Sequence, residues 1–122
     1  MITWRIDHDQ RLVRATGSDS VTMADIMGYL AEVAAAGGMP YGKFIDARFT
    51  TLDLNASDVR HLSEAVKHYA MQGPLGPIAI LVDVEMTAFV AELFQQRTAD
   101  RNRPLRIFRA EDEALAWLAE RR

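Results

Sequence analysis

Apolar and polar positions alternate at the start of the chain: Ile2, Trp4 and Ile6 against Thr3, Arg5 and Asp7. That period of two predicts a half-buried strand. His8-Asp9-Gln10 is a polar turn, and Leu12 to Thr16 returns as the second arm of a hairpin. The period then changes. Thr22 with Asp25 three residues on predicts a helix N-terminus. Ile26, Leu30, Val33 and Ala34 supply an apolar stripe, and Gly37-Gly38 ends it. Lys43 to Phe49 reads as the third strand. Asn55 and Asp58 cap a second helix whose inner stripe is Val59, Leu62, Val66, Tyr69 and Ala70, broken by Gly73-Pro74 and Gly76-Pro77. Ile78 to Val82 holds no polar residue, as expected of a central strand covered on both faces. Asp83 opens a third helix, with Met86, Phe89, Val90, Leu93 and Phe94 inward, that ends before Pro104. Leu105 to Arg109 is the last strand. A final helix carries Glu111, Asp112 and Glu113 in its first turn and Arg121 and Arg122 at its end, charges that suit its dipole.

The order is β-β-α-β-α-β-α-β-α. It predicts an α/β domain with a mixed, mostly parallel five-stranded sheet and an antiparallel N-terminal edge strand. No repeat or linker interrupts residues 1 to 122, so one domain is expected. At 122 residues the chain is long enough for a core without staples, and having no cysteine it has neither disulfides nor a thiolate metal site. The charged N-terminus lacks the apolar run of a signal peptide, which points to a cytoplasmic protein. No apolar stretch approaches the ~20 residues of a membrane span. A net charge of -3 argues against a nucleic-acid partner.

Two stretches, KFIDARFTTLDLNASDV and RIFRAEDEALAWL, make the chain resemble small bacterial members of the SpoIIAA-like superfamily, which includes STAS domains and the CRAL-TRIO lipid-transfer fold. In its anti-sigma antagonists the second helix starts with an Asp-Ser-Ser/Thr-Gly-like motif whose first hydroxyl is phosphorylated. Laid on this sequence, Asn55 falls at the Asp, Ala56 at the phosphoacceptor, Ser57 at the next residue and Asp58 at the Gly. The acceptor is thus an alanine, and Asp58 would repel a phosphate beside it. The resemblance implies a non-catalytic module that docks a protein partner. Its CRAL-TRIO branch implies an alternative, the binding of a lipid or other small apolar ligand.

The candidate binding residues are Asp46, Arg48, Asn55, Ser57 and Asp58. Asp46 and Arg48 lie towards the carboxyl end of the third strand, where open α/β sheets gather ligands; an internal ion pair is the competing reading. Ser57 has a structural reading as part of a helix start. No Gly-x-Ser-x-Gly turn surrounds it, and there is no Gly-rich phosphate loop, so neither an enzyme nor a cofactor is expected. His61, Glu64 and His68 share a helix face, but the two histidines stand about 10 Å apart, too far to hold one metal ion unaided, and a solvated face accounts for them. Arg97, Arg101, Arg103, Arg106 and Arg109 form the densest basic cluster, suited to an anionic group or to a helix C-terminus. Trp4 and Trp117 read as core anchors. Finally, sequential strand order puts the main helices on one side of the sheet. The apolar outer face of Ile78 to Val82, with Phe44 or Ile45 and Ile107 or Phe108, then needs cover. A homodimer about a two-fold axis is the expected cover, with the first or C-terminal helix of the same chain as the competitor.

Overall fold

The computed structural model describes residues 1–83, 85, 87, 88, 91, 92 and 104–121. Within them the strands are β1 (Ile2–Asp7), β2 (Leu12–Gly17), β3 (Asp19–Thr22), β4 (Gly42–Asp46), β5 (Thr50–Asp53), β6 (Ile78–Leu81) and β7 (Leu105–Phe108). The helices are α1 (Met23–Ala35), α2 (Ala56–Gln72) and α3 (Glu111–Ala119). Glu85, Thr87, Ala88, Ala91 and Glu92 are also helical. The five-stranded sheet runs β1-β2-β4-β6-β7, with β1 antiparallel to β2 and the other pairs parallel. The expected mixed sheet and its antiparallel edge strand are therefore present. The inward stripe expected at Met86, Phe89, Val90, Leu93 and Phe94 lies outside the described residues.

Each helix start is set locally. Thr22 accepts from the Asp25 N–H while the Asp25 carboxylate accepts from the Thr22 N–H, a closed capping box. The Thr22 N–H, together with the nearby N-terminal ammonium, holds the Asp25 carboxyl below its usual range. At the other end of α1, Gly37 adopts φ 78°. There the Gly38 N–H reaches Val33 O at 2.9 Å and the Gly37 N–H reaches Ala34 O at 3.1 Å, closing the helix.

A second, two-stranded sheet was not anticipated: β3 pairs in parallel with β5. Its strands are too short for a clear period, and 31 residues separate Asp19 from its partner Thr50, whose hydroxyl donates to Asp19 O at 2.7 Å. The expected third strand also needs correction. β4 stops at Asp46, and Arg48 and Phe49 form a turn before β5. The Asp46 carboxylate causes the break, because it accepts from the Arg48 N–H at 3.1 Å in an Asx-type turn.

The sheet divides the core in two. On one face, Val13 and Ala15 pack with Ile2, Trp4 and Ile6 beneath Tyr29 and Val33 of α1. Continuing along that face, Ile45, Ile78, Ile80, Val82, Leu105 and Ile107 meet Ala88 and Ala91. On the other face, Leu12, Phe44, Ala79, Leu81 and Phe108 are covered by Ala114, Trp117 and Leu118 of α3. The homodimer expectation rested on this second face lying open. The C-terminal helix of the same chain fills it, so the face gives no reason for a second subunit.

Candidate functional site

The sequence-derived candidates separate in space and in role. Asp46, 8% exposed, takes a two-pronged ion pair from Arg48: Nε to Oδ1 at 3.0 Å and Nη2 to Oδ2 at 2.8 Å. The guanidinium holds the Asp46 carboxyl below its usual range and is itself held more firmly protonated. Both charges are thus engaged with each other. Asn55 and Asp58 close a second capping box, Asp58 N–H to Asn55 Oδ1 at 2.8 Å and Asn55 N–H to Asp58 Oδ2 at 3.1 Å. Ala56 and Ser57 stand exposed in the first turn of α2. His61, Glu64 and His68 lie on the exposed side of that helix, with His68 Nε2 2.9 Å from Gln72 Nε2.

Of the basic cluster, Arg106 and Arg109 are exposed, and the Arg106 guanidinium lies 5.2 Å from the Phe108 ring centre. Arg97, Arg101 and Arg103 lie outside the described residues, as does Arg122 at the chain end. Trp117 is a core anchor, tilted against Phe108 with ring centres 5.6 Å apart. Trp4 is half-buried and donates its indole N–H to Glu32 Oε2 at 2.8 Å. Among the described residues, no three His, Asp or Glu side chains stand close enough to share a metal ion.

The hollow that the candidates do not describe lies between the inner sheet face and the two long helices. It is a cavity of about 150 Å³. Ile45, Ile78 and Ile80 floor it; Ile26, Tyr29 and Leu30 of α1 and Val59, Leu62, Val66 and Tyr69 of α2 wall it; Leu52, Leu54 and Leu75 rim it. Val59, Leu62 and Val66, the buried stripe of α2, border this cavity.

The cavity's few polar groups are largely committed. Lys43, only 4% exposed, donates Nζ to Met39 O and to Tyr41 O. Thr50 is bonded to Asp19 O, and Asp46 to Arg48. Tyr29 also borders the cavity and is 7% exposed; its hydroxyl is buried in the protein, out of reach of a water-sized probe, and has no hydrogen-bond partner among the described residues. Burial pushes its phenol well above the ordinary range, so it stays neutral at every physiological pH. Sequence reasoning passed over Tyr29 and gave Lys43 only a place in a strand. The signal for Tyr29 was its position between Ile26 and Val33 on the apolar side of α1.

No protein-family model matches this chain, and no curated protein does. Among solved structures it is similar to an uncharacterised DUF3478-family protein from Shewanella loihica with a SpoIIAA-like fold. The two share 24% identity over 96% of this chain and 93% of the other, with a TM-score of 0.63. That likeness, with the strand order β1-β2-β4-β6-β7, makes the fold of this chain SpoIIAA-like.

Proposed function

We propose that this chain is a non-catalytic binding module whose cavity between sheet and helices takes a small apolar ligand. The observation that carries this reading is the cavity itself: about 150 Å³ walled almost wholly by aliphatic and aromatic side chains. A ligand recovers dispersion contacts that the lining side chains otherwise lack. The same composition speaks against catalysis there, because Lys43, Asp46 and Thr50 are each engaged by other protein groups.

Titration calorimetry with toluene tests the reading. Binding with a negative heat-capacity change is expected in the native chain, and its loss in Val66→Trp, where the indole fills the space. No heat with the native chain, together with no small mass retained in native mass spectrometry, overturns it.

Docking of a protein partner is the second reading, and the exposure of Phe49 supports it. This large apolar side chain is 68% exposed in the turn between β4 and β5, with the Arg48 guanidinium 5.2 Å from its ring centre. Aromatic side chains, phenylalanine among them, are enriched at the centres of protein–protein interfaces. Laid on the resemblance, Ala56 falls where the anti-sigma antagonists carry their phosphoacceptor, which speaks against a phosphorylation switch.

A further inference from the structure

We infer that the polar part of the outer sheet face is a second site, a cleft that takes the phosphate group of a small, soluble phosphate monoester between Arg5 and Arg14. It lies across the sheet from the apolar cavity and does not depend on it. The strand register builds it. Arg5 pairs with Arg14 across β1 and β2, and Arg14 with Phe44 across β2 and β4. The next row is Thr3, Thr16 and Asp46. Cross-strand partners share a face, so the two rows stand side by side. The C-terminal helix α3 packs on Phe44 but leaves Thr3, Arg5 and Thr16 exposed. With Glu111 at the start of α3, these residues line a cleft of about 300 Å³. Thr16 and Asp46 place it towards the carboxyl ends of the parallel strands β2 and β4, where open α/β sheets gather ligands.

The charges in the cleft are unequally answered. Two guanidiniums directly opposite one another on adjacent strands repel, and a chain of net charge -3 has no general excess of cations to place here. Asp46 gives both carboxylate oxygens to Arg48, at 3.0 and 2.8 Å. Glu111, its side chain 46% exposed, reaches Arg14 through one contact of 3.4 Å, at the limit of a hydrogen bond. Among the described residues, Arg5 has no ion pair. One guanidinium is therefore free, and the other keeps most of its donors in reserve while lying 5.2 Å from the centre of the Phe44 ring.

Planar guanidinium forks match the oxygens of a phosphate, and a dianion between the two turns their repulsion into attraction. The Thr3 and Thr16 hydroxyls offer further donors in the adjoining row. Glu111 is the group that the phosphate displaces from Arg14. The exposed members of the lining, Thr3, Arg5, Thr16 and Glu111, are all polar. They suit a free ester and give a membrane no apolar anchor.

Calorimetry at low ionic strength with methyl phosphate, which has no apolar group to enter the other cavity, tests the site. The native chain should bind it. Arg5→Gln and Arg14→Gln should each weaken binding by about tenfold or more, as expected for a charge-assisted hydrogen bond. Glu111→Gln should tighten it, because the competing carboxylate is gone. As a measurement independent of the variants, the Nε–H resonances of Arg5 and Arg14 in the native chain should shift on titration with methyl phosphate. Flotation with vesicles of phosphatidylcholine and phosphatidic acid should leave the chain unbound.

No heat with methyl phosphate overturns the site, as does an affinity that both arginine variants leave unchanged or a titration that leaves both Nε–H resonances in place. Weaker binding in Glu111→Gln overturns the displacement. Flotation with the vesicles overturns the soluble ester in favour of a lipid headgroup. Toluene binding, on the opposite face, is untouched by any of these results.

Discussion

Arg48 grips Asp46 with both prongs of its guanidinium, at 3.0 and 2.8 Å, and the same carboxylate accepts the Arg48 backbone N–H at 3.1 Å. Three bonds to one carboxylate end β4 and turn the chain towards β5. The pair that looked like a ligand site at a strand end is therefore the device that shapes the turn.

Its pH dependence follows from the direction of the Asp46 shift. The folded carboxyl titrates below its unfolded value of about 3.9. The pair's contribution is therefore complete above that unfolded value and is lost as pH falls through the folded one. Asp46→Asn should cost about 1–2 kcal/mol at pH 7, moderated by the partial exposure of Arg48. The cost should be smaller at about pH 2 than at pH 7, because the pair is lost as pH falls through the folded value. Urea melts at both pH values measure it. A deficit that persists undiminished in acid assigns the effect to packing.

Neighbouring residues at the start of α2 should respond very differently. Asn55 accepts the Asp58 N–H at 2.8 Å, so Asn55→Ala should destabilise by about 1 kcal/mol. Ser57 is exposed and makes no comparable bond, so Ser57→Ala should fall within about 0.5 kcal/mol. Thermal melts of the two variants test the contrast. Phosphate on Ser57 in protein isolated from its native cell would show that the helix start has a regulatory use its geometry does not require.

What the sequence made legible was what repeats locally. The period of two in Ile2, Trp4 and Ile6, the apolar run at Ile78 and the pairs Thr22/Asp25 and Asn55/Asp58 each write a strand or a cap within a few residues, and each is found. The β3–β5 pairing was hidden because four-residue strands far apart in sequence carry no period. The cavity was hidden for a related reason. Val59, Leu62 and Val66 read as a core stripe whether or not a cavity borders them. A cavity is a tertiary quantity. Asp46 and Arg48 read as alternating positions near the end of one strand, whereas the Asp46 carboxylate in fact turns the chain after Asp46.

Gly76 marks a close crossing of two backbones. Its N–H donates to Met39 O at 3.0 Å, and a Cβ placed on it would lie 2.0 Å from Tyr41 O. The displaced Met39–Tyr41 segment also supplies the carbonyls that hold Lys43 Nζ. Gly76→Ala should therefore cost at least ~2 kcal/mol, more than an ordinary loop substitution. Chemical denaturation measures it; a change below about 0.5 kcal/mol means the segment yields freely.

The outer face of the sheet gives the last prediction. Leu12, Phe44, Ala79, Leu81 and Phe108 are apolar and would form a patch if bare, yet Ala114, Trp117 and Leu118 cover them. Trp117 is the largest part of that cover, in contact with Phe108 and with the Arg121 guanidinium 4.3 Å from its ring centre. With the face already filled, sedimentation at micromolar concentration should give a species near the 13.7 kDa monomer mass. Trp117→Ala should cost about 3–5 kcal/mol, as for other buried tryptophans. The opened patch should then draw two chains together, because contiguous apolar surface of this kind is seldom left in water. A native dimer that Trp117→Ala leaves unaltered would place the subunit contact elsewhere on the molecule and remove the outer sheet face from the association.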